Sequence, residues 1–142
     1  MRTLTLAFLA ALAATPAMTC APVPALAQAD PAGSTWLAED IMGGGVIDRA
    51  QSTLRLLPEG RVAGSSGCNR FTGKGLVSAG KVEIGLLATT RMACPPAVMD
   101  QESRYLKALA ASKRYEIGSD GLMRFYDGSG ATTLRFSRRR GE

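Results

Sequence analysis

The residues of this 142-residue chain that could do chemistry are two cysteines and one glutamate. Cys68 lies in the stretch GCNRFTG, Cys94 follows in the stretch TRMACP, and Glu102 comes shortly after it. The chain contains no histidine. A Cys–His nucleophile pair and a Ser–His–Asp triad are therefore excluded, and a zinc site would have too few ligands. We accordingly predict no metal site.

Glu102 interrupts the apolar stripe of a predicted helix that begins at Pro96 or Ala97 and runs to about Ser112. Residues at spacings of three and four share one face of a helix. On this face Glu102 is accompanied by Val98, Tyr105, Leu106 and Leu109. Burying a carboxylate without partners is costly, so we expect Glu102 to meet an arginine or several N–H donors.

The candidate partners of Glu102 are Asn69, Arg70, Thr90 and Arg91. We expect Arg91 to be the partner, because a guanidinium can meet a carboxylate with two parallel hydrogen bonds. Two interpretations remain open. Glu102 is either a structural clamp between helix and loop, which we favour, or part of a functional site, as an acid with a raised pKa or as a ligand contact.

The N-terminal segment 1–27 is typical of a signal peptide. Arg2 supplies a positive charge, Leu4–Ala14 is apolar, and the triplet Ala25–Ala27 fits a cleavage site before Gln28. We therefore predict export to the periplasm or the outside. Residues 28–32 are then a linker, 33–138 a single domain and 139–142 a basic tail.

The thiols have different expected fates in an exported chain. Cys20 lies in the signal region and fits a lipoprotein signal only weakly, so an outer-membrane lipoprotein is the minor alternative. Cys68 and Cys94 are predicted to form a disulfide. Such a bond would stabilise the domain by about 3.5 kcal/mol in the chain-entropy model. A catalytic thiol at Cys68 is the competing interpretation.

The formal net charge of +5 comes mostly from the ends of the chain. Arg2 would leave with the signal peptide, and Arg138–Arg140 belong to the C-terminal end. A nucleic-acid-binding domain is expected to carry a basic patch across its fold, whereas a short charge run is usually a solvated end. We predict no nucleic-acid partner.

Short alternating segments joined by glycine-rich turns indicate a mainly β fold. The segment Ser52–Leu57 alternates and is followed by the turn Pro58–Gly60 and a return strand. We predict further strands at Arg114–Ile117, Leu122–Tyr126 and Thr132–Ser137, and a hairpin over Gly75–Ile84. One helix is expected. These elements predict a small curved antiparallel sheet or barrel-like fold with one α-helix packed on it.

The chain resembles the META domain family of HslJ-like proteins over roughly Gly33 to Arg138. The resemblance rests on the following residues: Trp36-Leu37, Gly64, Gly67-Cys68-Asn69-Arg70-Phe71, Gly73, Thr89-Thr90-Arg91-Met92-Ala93-Cys94-Pro95, Met99, Glu102, Tyr105, Leu106, Leu109 and Leu134-Arg135-Phe136. Among them, Gly67, Asn69, Arg70, Phe71, Gly73, Arg91 and Glu102 are the structural motif that we expect to shape the domain.

The resemblance implies a small β-barrel-like fold in the bacterial envelope, associated with stress response, tolerance to novobiocin, and motility or secretion. It implies no reaction and no cofactor, so we predict no catalytic residue and a non-enzymatic module that binds or stabilises another envelope protein. The alternative is binding of a small apolar ligand in the barrel mouth. A hydrolase using Glu102 or Cys68 is the third candidate. Membrane attachment is expected only if Cys20 is lipidated.

Overall fold

The structure is a computed structural model that describes residues 30–139. The predicted signal peptide, its cleavage site, Cys20 and residues 140–142 lie outside the described residues. Signal cleavage, lipidation and export therefore stay predictions. No helix among residues 30–139 has the length and apolar character needed to cross a membrane.

The described chain folds into eight strands and one helix. In chain order these are β1 (Thr35–Ile41), β2 (Thr53–Leu57), β3 (Arg61–Ser65), β4 (Arg70–Ser78), β5 (Lys81–Thr89), α1 (Pro96–Ala111), β6 (Arg114–Ile117), β7 (Met123–Tyr126) and β8 (Thr132–Arg138). The prediction of a mainly β fold with one helix is confirmed. Alternating burial along β4 follows from the two-residue period of a strand.

The strands form one antiparallel sheet that curves into a ring. Each strand pairs with the next along the chain, and β8 returns to pair with β1. The junction between β5 and β6 is the weakest, since the register there consists of the single pair Lys81 and Arg114. The connection between these two strands contains α1, which packs against β1, β5 and β8.

The hairpin predicted over Gly75–Ile84 is longer than expected. β4 begins at Arg70, and β5 continues to Thr89. Glycine normally weakens a strand, but Gly75 lies inside β4 where a side chain would collide with Val62. The strand therefore passes through its glycines instead of ending at them.

The interior of the ring is filled by large side chains. Trp36, Phe125 and Phe136 are fully buried, as are Leu54 and Leu134. The Phe125 and Phe136 rings meet edge to face, with centroids 5.2 Å apart, a favourable aromatic geometry. These side chains fill the inside of the ring and form a packed hydrophobic core.

Helix α1 begins with Pro96 at its first turn, where the missing N–H costs nothing. Its buried face consists of Gln101, Glu102, Tyr105, Ala108 and Leu109. The expected face was partly wrong, because Val98 and Leu106 are only half-buried. The face is rotated toward Gln101, since this polar side chain finds hydrogen-bond partners in the loop that precedes β2.

Candidate functional site

Glu102 lies on the buried face of α1 and is held by three donors. The Ser66 hydroxyl donates to Oε2 at 2.6 Å, and the Asn69 backbone N–H donates to the same oxygen at 2.8 Å. The Asn69 side-chain Nδ2 donates to Oε1 at 2.9 Å. Only 8% of Glu102 is exposed. The carboxylate therefore has donors on both oxygens, as a buried charge requires.

Asn69 connects the helix to the segment before it. Its Oδ1 accepts hydrogen bonds from the Met92 backbone N–H at 2.6 Å and from the Thr90 hydroxyl at 3.0 Å. Its Nδ2 also lies 3.3 Å from the Met92 carbonyl oxygen. One short amide side chain thus joins α1, the β3–β4 loop and the segment after β5. We call Ser66, Asn69, Thr90, Met92 and Glu102 the Glu102 cluster.

The loop between β3 and β4 presents these donors because its backbone turns sharply. The Ser66 N–H donates to the Asn69 carbonyl oxygen at 2.8 Å, which closes the turn. Gly67 has φ of +116°, a conformation that side chains rarely adopt. At Gly64, a Cβ would overlap the Thr53 carbonyl oxygen and the Phe71 ring. Glycine is therefore required at both positions.

Cys68 and Cys94 are joined by a disulfide bond in the structure, with their Cα atoms 6.0 Å apart. The bond ties the β3–β4 loop to the residues just before α1. Cys68 directly precedes Asn69, and Cys94 lies just after Met92, so the disulfide closes the same junction as the Glu102 cluster. A bonded thiol is not a nucleophile, which counts against a catalytic Cys68.

Gln101 is a second polar residue of α1 that sequence reasoning missed. It is fully buried, and its Oε1 accepts a hydrogen bond from the Ile47 N–H at 2.7 Å. Its Nε2 donates to the Ala50 carbonyl oxygen and to the Ser52 hydroxyl. The available signal was its spacing of four residues from Tyr105, which places the two on one face.

Glu102 is ionised at neutral pH. Burial alone would raise the pKa of this carboxyl group, but hydrogen bonds from the Ser66 hydroxyl and from the Asn69 side chain and backbone outweigh burial and hold the pKa below its ordinary value of 4.5. A general acid needs the opposite shift. The interpretation of Glu102 as an acid with a raised pKa is therefore wrong.

Arg91 was expected to pair with Glu102, and this expectation is wrong. Arg91 is exposed, and the ion pairs formed within residues 30–139 do not include one between Arg91 and Glu102. The carboxylate is satisfied by uncharged donors of the loop, which reach it without the desolvation cost of a second buried charge.

The other motif residues have separate places in the fold. Arg70 points outward from β4 and is exposed, whereas Phe71 lies in the core with 3% exposure. At Gly73, a Cβ would collide with Leu87 of β5 and with the Leu86 carbonyl oxygen. The structure thus joins Asn69 and Glu102 directly and leaves Arg70 and Arg91 at the surface.

Tyr105 carries a buried hydroxyl group with no hydrogen-bond partner among the described residues. Its ring packs between Phe71 and Phe136, with centroids 6.1 and 6.5 Å away. Burial raises the pKa of the phenol far above its ordinary value of 10.0. This group stays protonated and contributes apolar packing to the core.

Metal ligands do not cluster in the part of the chain that the structure describes: no group of three or more cysteine, aspartate and glutamate side chains is placed to hold an ion.

The Glu102 carboxylate accepts hydrogen bonds from three donors and is almost fully covered. Its arrangement suits a clamp between α1 and the β3–β4 loop.

Comparisons with known proteins agree with the fold. A family model described as the META domain matches residues 24–140. A solved structure, the NMR structure of a protein from Burkholderia xenovorans, is 25% identical with a TM-score of 0.62, and the alignment covers 89% of this chain and 100% of that chain. A second NMR structure is 22% identical with a TM-score of 0.58, covering 74% and 88% of the two chains, and shows the fold alone. The search of curated proteins finds no match.

Proposed function

Because this chain belongs to the META domain family, we propose that it is a non-enzymatic, exported binding module of the bacterial envelope. The observation that carries the proposal is the complete engagement of Glu102 by Ser66 and Asn69. Asn69 and Glu102 of the motif hold α1 to the β3–β4 loop, and the disulfide between Cys68 and Cys94 supports the same junction.

Export is proposed from the sequence of residues 1–27, which is typical of a signal peptide. The disulfide agrees with an oxidising compartment, where such bonds persist. A role in stress or antibiotic tolerance is proposed from the family alone. A surface partner is favoured over an apolar ligand in the barrel mouth, because Trp36, Phe125 and Phe136 fill the interior with fully buried side chains.

The test is complementation of a deletion strain under envelope stress, with novobiocin as the stress. We expect the full-length gene to restore growth and a version that starts at Gln28 without the leader not to restore it. The full-length chain carrying Cys68→Ser and Cys94→Ser controls for the disulfide that the leaderless protein would lack. Growth restored equally by the leaderless protein would contradict a function in the envelope.

The exported protein itself provides a direct check of processing. Intact mass should show a chain that begins at Gln28, and alkylation should label Cys68 and Cys94 only after reduction. A chain that begins at a lipid-modified Cys20 would instead identify a lipoprotein. If both thiols of protein taken from the envelope are labelled without reduction, Cys68 and Cys94 are not bonded in the exported protein.

A further inference from the structure

Three arginines line one surface cleft on the outer side of the ring. Arg55 of β2, Arg70 of β4 and Arg139 after β8 surround a cleft of about 440 Å³. Its floor includes the small residues Ala63 and Gly64 of β3. The lining contains no aspartate or glutamate. A concave surface with one sign of charge concentrates ligands of the opposite sign.

The register explains how these cations come together. Arg55 pairs with Ala63, and Ser65 pairs with Arg70, so β3 supplies small side chains between two arginine-bearing strands. Arg61 and Lys74 form another cross-strand pair beside them. Paired residues in adjacent strands project from the same face of a sheet. The outer face of β2, β3 and β4 is thus basic.

The three strands that carry this basic face contribute no carboxylate to it. The sequences TLRLL, RVAGS and RFTGKGLVS of β2, β3 and β4 contain no carboxylate. The ion pairs formed within residues 30–139 involve Arg104, Arg114 and Arg124. The cleft arginines are therefore paired with none of the described carboxylates, and their fork-shaped donor groups are available for bidentate contacts with carboxylates.

We propose that this cleft binds an acidic, extended peptide segment of a partner protein. The inference rests on the proposed function and identifies the chemistry of its partner. Arg55 and Arg70 lie two strands apart and two residues out of register, so their Cα atoms are separated by roughly 12 Å. An extended chain covers that distance in about four residues, and residues four apart in an extended chain lie on the same side.

The walls of the cleft favour a peptide over the other common polyanions. Single-stranded nucleic acid usually stacks its bases on exposed aromatic rings, but the aromatic residue here, Phe71, is 3% exposed. Surfaces that bind anionic lipid combine cations with apolar side chains that enter the bilayer. The exposed large apolar residues Met42, Leu76, Leu86 and Met92 do not line this cleft.

The test uses purified mature protein and fluorescein-labelled hexaglutamate in an anisotropy titration at low ionic strength. We expect saturable binding that weakens as salt is added, because the contacts are between exposed charges. The double variant Arg55→Glu and Arg70→Glu should weaken binding by about a hundredfold or more, since like charges placed together cost several kcal/mol. Its melting temperature, measured in parallel, should stay near that of the wild type.

The matched control reverses Lys81 and Lys107 to glutamate, which gives the same change in net charge. Both lysines are exposed, on β5 and α1, and neither lines the cleft. We expect this variant to keep hexaglutamate binding within about threefold of the wild type when the titration is repeated at about 0.1 M salt, because surface charges beyond a Debye length of about 10 Å are then screened. An equal loss in both variants would overturn the inference, because binding would then depend on net charge.

Two further probes distinguish an acidic peptide from an anionic lipid surface and from a nucleic acid. Vesicles of phosphatidylglycerol and a labelled single-stranded oligonucleotide should bind more weakly than hexaglutamate at equal charge. Tighter binding of either probe through Arg55 and Arg70 would overturn the choice of an acidic peptide, as would the absence of hexaglutamate binding. These failures would leave the proposed function standing, since that function is tested by leader-dependent complementation.

Discussion

Asn69 donates two hydrogen bonds to Glu102, from its backbone N–H to Oε2 at 2.8 Å and from Nδ2 to Oε1 at 2.9 Å. The two residues are 33 positions apart in the chain. Since Asn69 also accepts from Met92 and Thr90, this contact fastens α1 to both segments that the disulfide joins. This buried polar contact therefore has a structural role.

Replacing Glu102 should destabilise the domain, because the Asn69 backbone N–H loses its acceptor and the side chains of Ser66 and Asn69 lose a charged one. We expect Glu102→Ala to lower the free energy of unfolding by about 3–5 kcal/mol, because three buried donors lose a charged acceptor. Glu102→Gln should cost about half as much. Its amide oxygen can still accept from Ser66 and Asn69, but its NH₂ group faces the Asn69 side-chain donor. Urea denaturation measures both values.

The control for this comparison is Glu83→Ala, which removes an exposed carboxylate on β5. Surface substitutions of this kind change stability by about 0.5 kcal/mol or less. A Glu102→Ala protein that unfolds at the same urea concentration as the Glu83→Ala protein would refute the clamp.

A double-mutant cycle should place the coupling of Glu102 at Asn69 and not at Arg91. The cycle of Asn69→Ala with Glu102→Ala should give an interaction free energy of about 1.5–3 kcal/mol, as for residues in one hydrogen-bond network. The cycle of Arg91→Ala with Glu102→Ala should be additive within about 0.5 kcal/mol. Strong coupling to Arg91 would show that the guanidinium reaches the carboxylate in solution.

The fold and the position of Glu102 could be predicted from sequence, but the partners of Glu102 could not. Alternation in β2 and the glycine-rich turns indicate short strands, and the apolar neighbours of Glu102 indicate its burial. The donors that reach it include the backbone N–H of Asn69 and the Ser66 hydroxyl. A backbone donor has no sequence signal, and its direction depends on the turn that Gly67 permits.

The basic cleft could not be predicted from the sequence either. Arg55 and Arg70 are separated in the chain and become neighbours across β3 only when the register is known. Charge counted along the chain emphasised Arg138–Arg140 instead. Side chains at alternate positions of three strands form one surface, and the order of residues along the chain does not reveal which of them are neighbours on it.

Acid should weaken the domain through Glu102. The pKa of Glu102 in the folded protein is lowered from 4.5, so the unfolded chain binds a proton more readily than the folded one. The stabilising contribution is present above about pH 4.5 and is lost as the pH falls through the lower folded-state pKa. The difference in unfolding free energy between wild type and Glu102→Gln should therefore shrink below pH 4.5. A difference that stays constant from neutral to strongly acidic pH would contradict this account.

Tyr105→Phe should leave stability unchanged or raise it by up to about 1 kcal/mol. The substitution removes a buried hydroxyl that has no partner among the described residues and keeps the ring between Phe71 and Phe136. Removing an unpaired buried polar group is neutral or stabilising. Thermal unfolding of the variant beside Tyr115→Phe measures the effect, and a loss above about 1 kcal/mol would show that the Tyr105 hydroxyl makes a hydrogen bond in solution.

The most direct test of a structural Glu102 in a non-enzymatic protein is complementation by Glu102→Gln. The deletion strain is grown under novobiocin at a temperature where the exported variant is folded, and its level is measured by immunoblot and its folding by protease resistance. We predict that folded Glu102→Gln protein restores growth as the wild type does, because the carboxylate takes no part in a reaction. A variant that is exported and folded at wild-type level yet fails to restore growth would contradict this account and assign Glu102 to the functional site.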